Sequence, residues 1–96
     1  MFKMNDKDIQ LRLRDYIKQI NNEPSCNFKL LNVINLLAFL HQEKDWFNKI
    51  SKDRDVLRKV LKGKIKEFDI IIQKSNGKYH KNLVNLFHEK SELFLT

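Results

Sequence analysis

Asp53-Arg54-Asp55-Val56-Leu57-Arg58-Lys59-Val60-Leu61-Lys62-Gly63-Lys64-Ile65-Lys66-Glu67-Phe68-Asp69-Ile70-Ile71-Ile72-Gln73 is the stretch on which the fold turns. Val56, Leu57, Val60, Leu61, Phe68 and Ile71 fall on one side of a helix; Lys52, Arg58, Lys59, Lys62 and Lys66 fall on the other. That division is the pattern of an amphipathic helix with its apolar side on a core. Ser51 to Asp55 supplies a start, a cap candidate followed by acids in the first turn. Gly63 is the weak point, costing about 1 kcal/mol relative to Ala, and a bend or break is expected there. Ile70-Ile71-Ile72 is the most strand-like triplet in the chain.

Downstream, Lys74-Ser75-Asn76-Gly77 reads as a turn. Asn-Gly serves either as a helix stop, with the glycine left-handed, or as the tip of a β-hairpin. Tyr79, Leu83, Leu86, Phe87 and Phe94 have helical spacing, which predicts a last helix at about 79–94. Upstream, Phe28, Leu30, Leu31, Val33, Ile34, Leu36, Leu37, Phe39 and Leu40 make a segment that is apolar on most sides. A helix of that kind belongs in the centre, covered by others, with Asn32 and Asn35 on its narrow wet side. Ser25 or Asn27 can cap it. Before it, Asn21-Asn22-Glu23-Pro24-Ser25 is a loop, because Pro24 has no N–H and pushes Glu23 out of the helical region. Ile9, Leu13, Tyr16, Ile17 and Ile20 form the stripe of a first helix at about 6–21, capped by Asn5 or Asp6. Asp45 to Ile50 is a short helix or a continuation of the apolar one. Trp46 and Phe47 point about 100° apart there, and Phe47 is assigned to the core.

The expected fold is therefore all-α, a compact bundle of four to five helices in one domain covering 1–96. The alternative is a winged helix-turn-helix, with 67–73 and 79–86 as a C-terminal β-hairpin. The 96 residues leave no room for two domains, and 42% apolar content is that of a folded chain. Abundant Lys, Asn, Ile and Phe with scarce Gly and Pro point to an AT-rich coding sequence, such as that of a low-GC bacterium, a phage, a large DNA virus or a protist. The single Cys26 forms no internal disulfide, and the N-terminal residues carry no apolar signal segment. An intracellular location, cytoplasmic or nuclear, is expected. The run from Phe28 to Leu40 is too short to span a bilayer.

Chemistry-bearing motifs are few. His88 and Glu92, one turn apart, could share a metal, but a zinc site needs about four ligands, and a solvated helix face explains both. Cys26 reads as an incidental thiol, and Ser51 and Ser75 as caps or turn residues. Asp69 is expected on the solvent side of its helix, because an unpaired buried acid is costly. No enzyme activity, cofactor, metal or small-molecule substrate is expected.

Charge is the strongest feature. The chain carries +7, and from Lys49 to Lys66 eight cations face only Asp53 and Asp55. Such a field attracts nucleic acid, anionic lipid or an acidic protein. Two function classes follow. The first is a small regulator or adaptor that docks to a protein partner or to its own copy, with Trp46 and Tyr79 at the interface. The second is a nucleic-acid binder using Lys52, Arg54, Arg58, Lys59, Lys62 and Lys66. A membrane-surface role ranks third, since the apolar side of 53–73 is needed for the core.

Overall fold

Short polar side chains set where the helices begin. Asn5 Oδ1 accepts from the Asp8 N–H at 2.9 Å, and Asp6 and Asp8 place negative charge at the positive end of α1 (Asp6–Asn22). Pro24 follows the last turn, and Ser25 Oγ then accepts from the Phe28 N–H to open α2 (Cys26–Gln42). The computed structural model describes residues 5–49 and 54–95, and side-chain placement for all of these except 48–49 and 54–58. Within them lie α3 (Lys44–Lys49), α4 (Arg54–Gln73) and α5 (Lys81–Leu95). No strand occurs among the described residues. The described residues form an all-α bundle of five helices.

The hairpin alternative is overturned. Residues 67–73 are the last two turns of α4, and 81–86 are the first turns of α5. Asn76 has φ 54° and Gly77 φ 80°. These are left-handed values that a tight hairpin turn also needs, and Asn and Gly tolerate them best. The dipeptide thus gives the local backbone; the 3.6-residue period on either side dictates that it joins helices. Gly63 does not interrupt α4, which runs unbroken through it.

One cluster holds the bundle together: Leu30, Ile34, Leu37 and Leu40 of α2, Phe47 of α3, Ile65 of α4, and Phe87 and Phe94 of α5. Leu30 and Phe87 are fully buried. α2 lies between α1 and α5, and α4 lies against α5. α2 and α5 run parallel. At one end Asn27 Oδ1 accepts from the His80 N–H at 2.8 Å; at the other the ring of Phe47 meets that of Phe94 edge-on at 6.2 Å. The ring of Phe68 reaches both Phe87 and Tyr79, which fastens α4 to α5. On the far side Tyr16 sits against Phe39, and Ile9 is buried.

The inner face of α4 differs from the expected one. Ile65 is 5% exposed, and Leu61, Phe68 and Ile72 pack partly buried beside it. Val60 and Ile71, assigned to the core side by spacing, are 56% and 47% exposed. Positions 61, 65, 68 and 72 are themselves one helical stripe, so the core side is turned away from Val60 and Ile71. Phe28 likewise stands 61% exposed at the open end of the otherwise central α2.

Candidate docking surfaces

With Ile65, Phe68 and Ile72 facing inward, helix geometry puts Gly63 and Ile70 on the opposite side of α4, Glu67 next to them, and Val60 and Ile71 on the adjoining flank. Their spacings of three and four make a second seam, about 16 Å long, on which Val60, Ile70 and Ile71 stay about half exposed among the described residues. Ile70 is 50% exposed. A Cβ built on Gly63 would have nothing within 4 Å, so the middle of the seam is open.

The flanks of this seam differ in charge. Lys59 and Lys66 are exposed along the edge next to Gly63 and Ile70, and Lys62 lies half-buried one step closer to α5. The other edge carries Lys64, whose Nζ stands 3.5 Å from Glu67 Oε2 three residues on. That pair cancels locally, so the positive field leans to the Lys59–Lys66 side. Lys52 lies outside the described residues. Arg54 and Arg58 lie in the first turns of α4, and their side chains are outside the described ones. The structure therefore brings together three of the six expected cations: Lys59, Lys62 and Lys66.

A second apolar surface lies across the bundle. His88 of α5 points toward α4, its Nε2 2.9 Å from Asp69 Oδ1. Leu86 and Leu93 lie on the other side of α5 and are exposed. Because α2 and α5 are parallel with Leu30 and Phe87 turned inward, Leu31 (one residue after Leu30) and Leu86 (one before Phe87) share the side turned away from α4. Leu31 and Phe28 are exposed there, beside the uncharged Asn35 and Asn82.

Asp69 is half-buried at the α4–α5 seam rather than solvated. Its other carboxylate oxygen accepts from Gln73 Nε2 at 3.1 Å. His88 is thus bound to Asp69, and no group of three or more potential metal ligands exists among the described residues. Trp46 and Tyr79, expected at an interface, both pack partly against the core, Tyr79 edge-on to Phe68 at 6.1 Å. Burial, and after it the neighbouring Cys26, push the Tyr79 hydroxyl above its ordinary value. Sequence reasoning missed Asn27 as a clip: besides accepting from His80, its Nδ2 donates to the Lys78 carbonyl at 3.4 Å. Its partners lie about fifty residues away, and no local pattern announces them.

No family model matches this chain, and neither the curated proteins nor the solved structures contain a match to it. No described helix is long and apolar enough to cross a membrane. The surfaces themselves must carry the functional reading.

Proposed function

We propose that this chain is a non-enzymatic docking module, a small intracellular regulator or adaptor that binds a protein partner through apolar side chains left outside its own core. One observation carries this reading: the outer seam of α4, where Val60, Ile70 and Ile71 stand about half exposed along three turns of a rigid helix. Ile70 and Ile71 form an adjacent apolar pair, and Val60 stands about three turns away on the same side, with Gly63 and the exposed Glu67 between them; apolar groups gathered on one exposed side are what a docking partner covers. The seam has the spacing by which an amphipathic partner is read.

Nucleic-acid binding is the second reading, favoured by Lys59, Lys62 and Lys66 lying toward one edge of α4. Gel-shift titrations against single- and double-stranded probes, at low and at physiological salt, separate the two. Docking predicts no shift at physiological salt, and any shift at low salt is indifferent to replacing Ile70 and Ile71 by Ser. A shift that survives physiological salt and vanishes when Lys59, Lys62 and Lys66 become Gln overturns the protein-docking reading.

A further inference from the structure

We infer that the outer seam of α4 receives an acidic amphipathic helix of another protein, lying along Val60, Gly63, Ile70 and Ile71, with Glu67 between them held neutral by Lys64, and with its carboxylates against Lys59 and Lys66. This deepens the docking reading and rests on it.

Three features choose this occupant. The first is shape. The exposed positions follow one stripe of a straight helix, and a ridge of side chains on a second helix fits such a stripe. Gly63 presents no side chain at its middle, so a partner backbone can approach closely there. The second is charge. Lys59 and Lys66 border one edge and are exposed, whereas Lys64 on the other edge is matched by Glu67. Carboxylates on one flank of the partner would therefore find cations, and carboxylates on the other flank would meet a neutral pair. That asymmetry fixes the direction in which the partner lies, in the way flanking charges set orientation in coiled coils.

The third feature removes the competitors. A second copy of this chain, also at +7, would set Lys59 and Lys66 against the same lysines if its α4 ran antiparallel. Run parallel, it would set them against an edge whose described acid, Glu67, is already matched by Lys64. An anionic membrane rewards cations along both borders of an apolar face. Here, among the described residues, only the Lys59–Lys66 border carries unmatched cations, since Lys64 is paired with Glu67. A phosphate backbone gains nothing from Ile70 and Ile71. On the face of Leu86 and Leu93 the exposed Glu89 and half-buried Lys90 lie one turn from each leucine, so charges of both signs stand there and an acidic partner is not selected.

The test uses the full chain and a synthetic helical peptide of about 14 residues. The peptide has a leucine seam and glutamates along one flank. A control peptide has lysines in place of the glutamates. Backbone and methyl NMR shifts are followed during titration, with phosphatidylserine vesicles and duplex DNA as further arms. The acidic peptide should bind saturably and shift the resonances of Val60, Ile70, Ile71, Lys59 and Lys66. The lysine peptide should bind at least about tenfold more weakly. Ile70→Glu should weaken the acidic peptide by about tenfold or more while leaving the rest of the spectrum in place. Lys59→Gln with Lys66→Gln should lower affinity at low salt and flatten its salt dependence.

Shifts at Leu31, Leu86 and Leu93 in place of α4 overturn this assignment and leave protein docking standing. Displacement of the peptide from α4 by duplex DNA, with lysine-dependent DNA binding at physiological salt, overturns both. Tighter binding to vesicles than to the peptide, through the same α4 residues, overturns the helix in favour of a lipid surface.

Discussion

α2 and α4 are two helices of one bundle, rich in the same large apolar residues, and they dispose of them in opposite ways. α2 has neighbours on two sides, and Leu30, Ile34, Leu37, Phe39 and Leu40 are all buried. α4 lies at the edge against α5. Among its described side chains only Ile65 is as deeply buried, while Val60, Ile70 and Ile71 stay half exposed. An apolar side chain has value to the fold only where another element covers it. α2 meets that condition along most of its length, Phe28 and Leu31 excepted; α4 meets it on one stripe. The apolar surplus of α4 is what the proposed docking rests on.

The sharpest way to break this contrast is to cut the centre and the edge in the same way. Phe87→Ala, in the fully buried ring that α2 and α4 share with α5, should cost about 3–5 kcal/mol in urea unfolding. A cost of that size exceeds a third of the stability of many small domains, so the variant should be partly unfolded near body temperature. Within α4, Ile65→Ala should cost about 2–4 kcal/mol, whereas Ile71→Ala should change stability by less than about 0.5 kcal/mol. Equal effects at 65 and 71 would erase the distinction between the inner and outer faces of α4.

These positions also show how far the sequence was legible. Four of the helices, the Pro24 loop and a cap at Ser25 or Asn27 follow from local patterns, because capping groups and the 3.6-residue period act within a few residues; those patterns do not decide whether 45–50 continues α2 or starts anew. Phe47 in the core followed from its size. The rotation of α4 did not. Its residues carry one apolar stripe, 61-65-68-72, and a second, 60-63-70-71, that Glu67 interrupts, and both have helical spacing. Which of them meets α5 depends on Phe68 finding Phe87 and Asp69 finding His88. Those are contacts between distant parts of the chain. The same holds for Asn27 and His80. The basic edge was visible as composition; that its lysines border an apolar seam became visible only once the core stripe was fixed.

Gly63 sharpens the contrast at a smaller scale. With open space around its Cβ direction and an ordinary helical backbone, Gly63→Ala should raise stability by about 0.5–1 kcal/mol in urea unfolding. The same methyl group sits in the seam, so it should weaken docking of the acidic peptide. Stability gained together with affinity lost is the pairing expected of an outer interface. A loss of both would place Gly63 against the bundle instead.

The smallest effect concerns Tyr79, on the inner side of the α4–α5 turn. Its hydroxyl holds its proton more tightly in the folded chain, because burial, and then Cys26, disfavour the phenolate. A group raised in this way contributes stability that is complete below its unfolded value, about pH 10, and is lost as pH rises through the folded value. Tyr79→Phe should therefore lose less stability than the parent as pH rises above about 10. Parallel pH profiles of unfolding for the two proteins would show that the folded chain does not hold the Tyr79 proton more tightly.

The most direct trial replaces Ile70 and Ile71 together by glutamate and reads thermal unfolding and binding of the acidic peptide on the same sample. An unchanged melting midpoint with binding abolished is the expected result, since those side chains would serve a partner and not the bundle. A midpoint lowered by ten degrees or so, or a peptide bound as tightly as before, would contradict it.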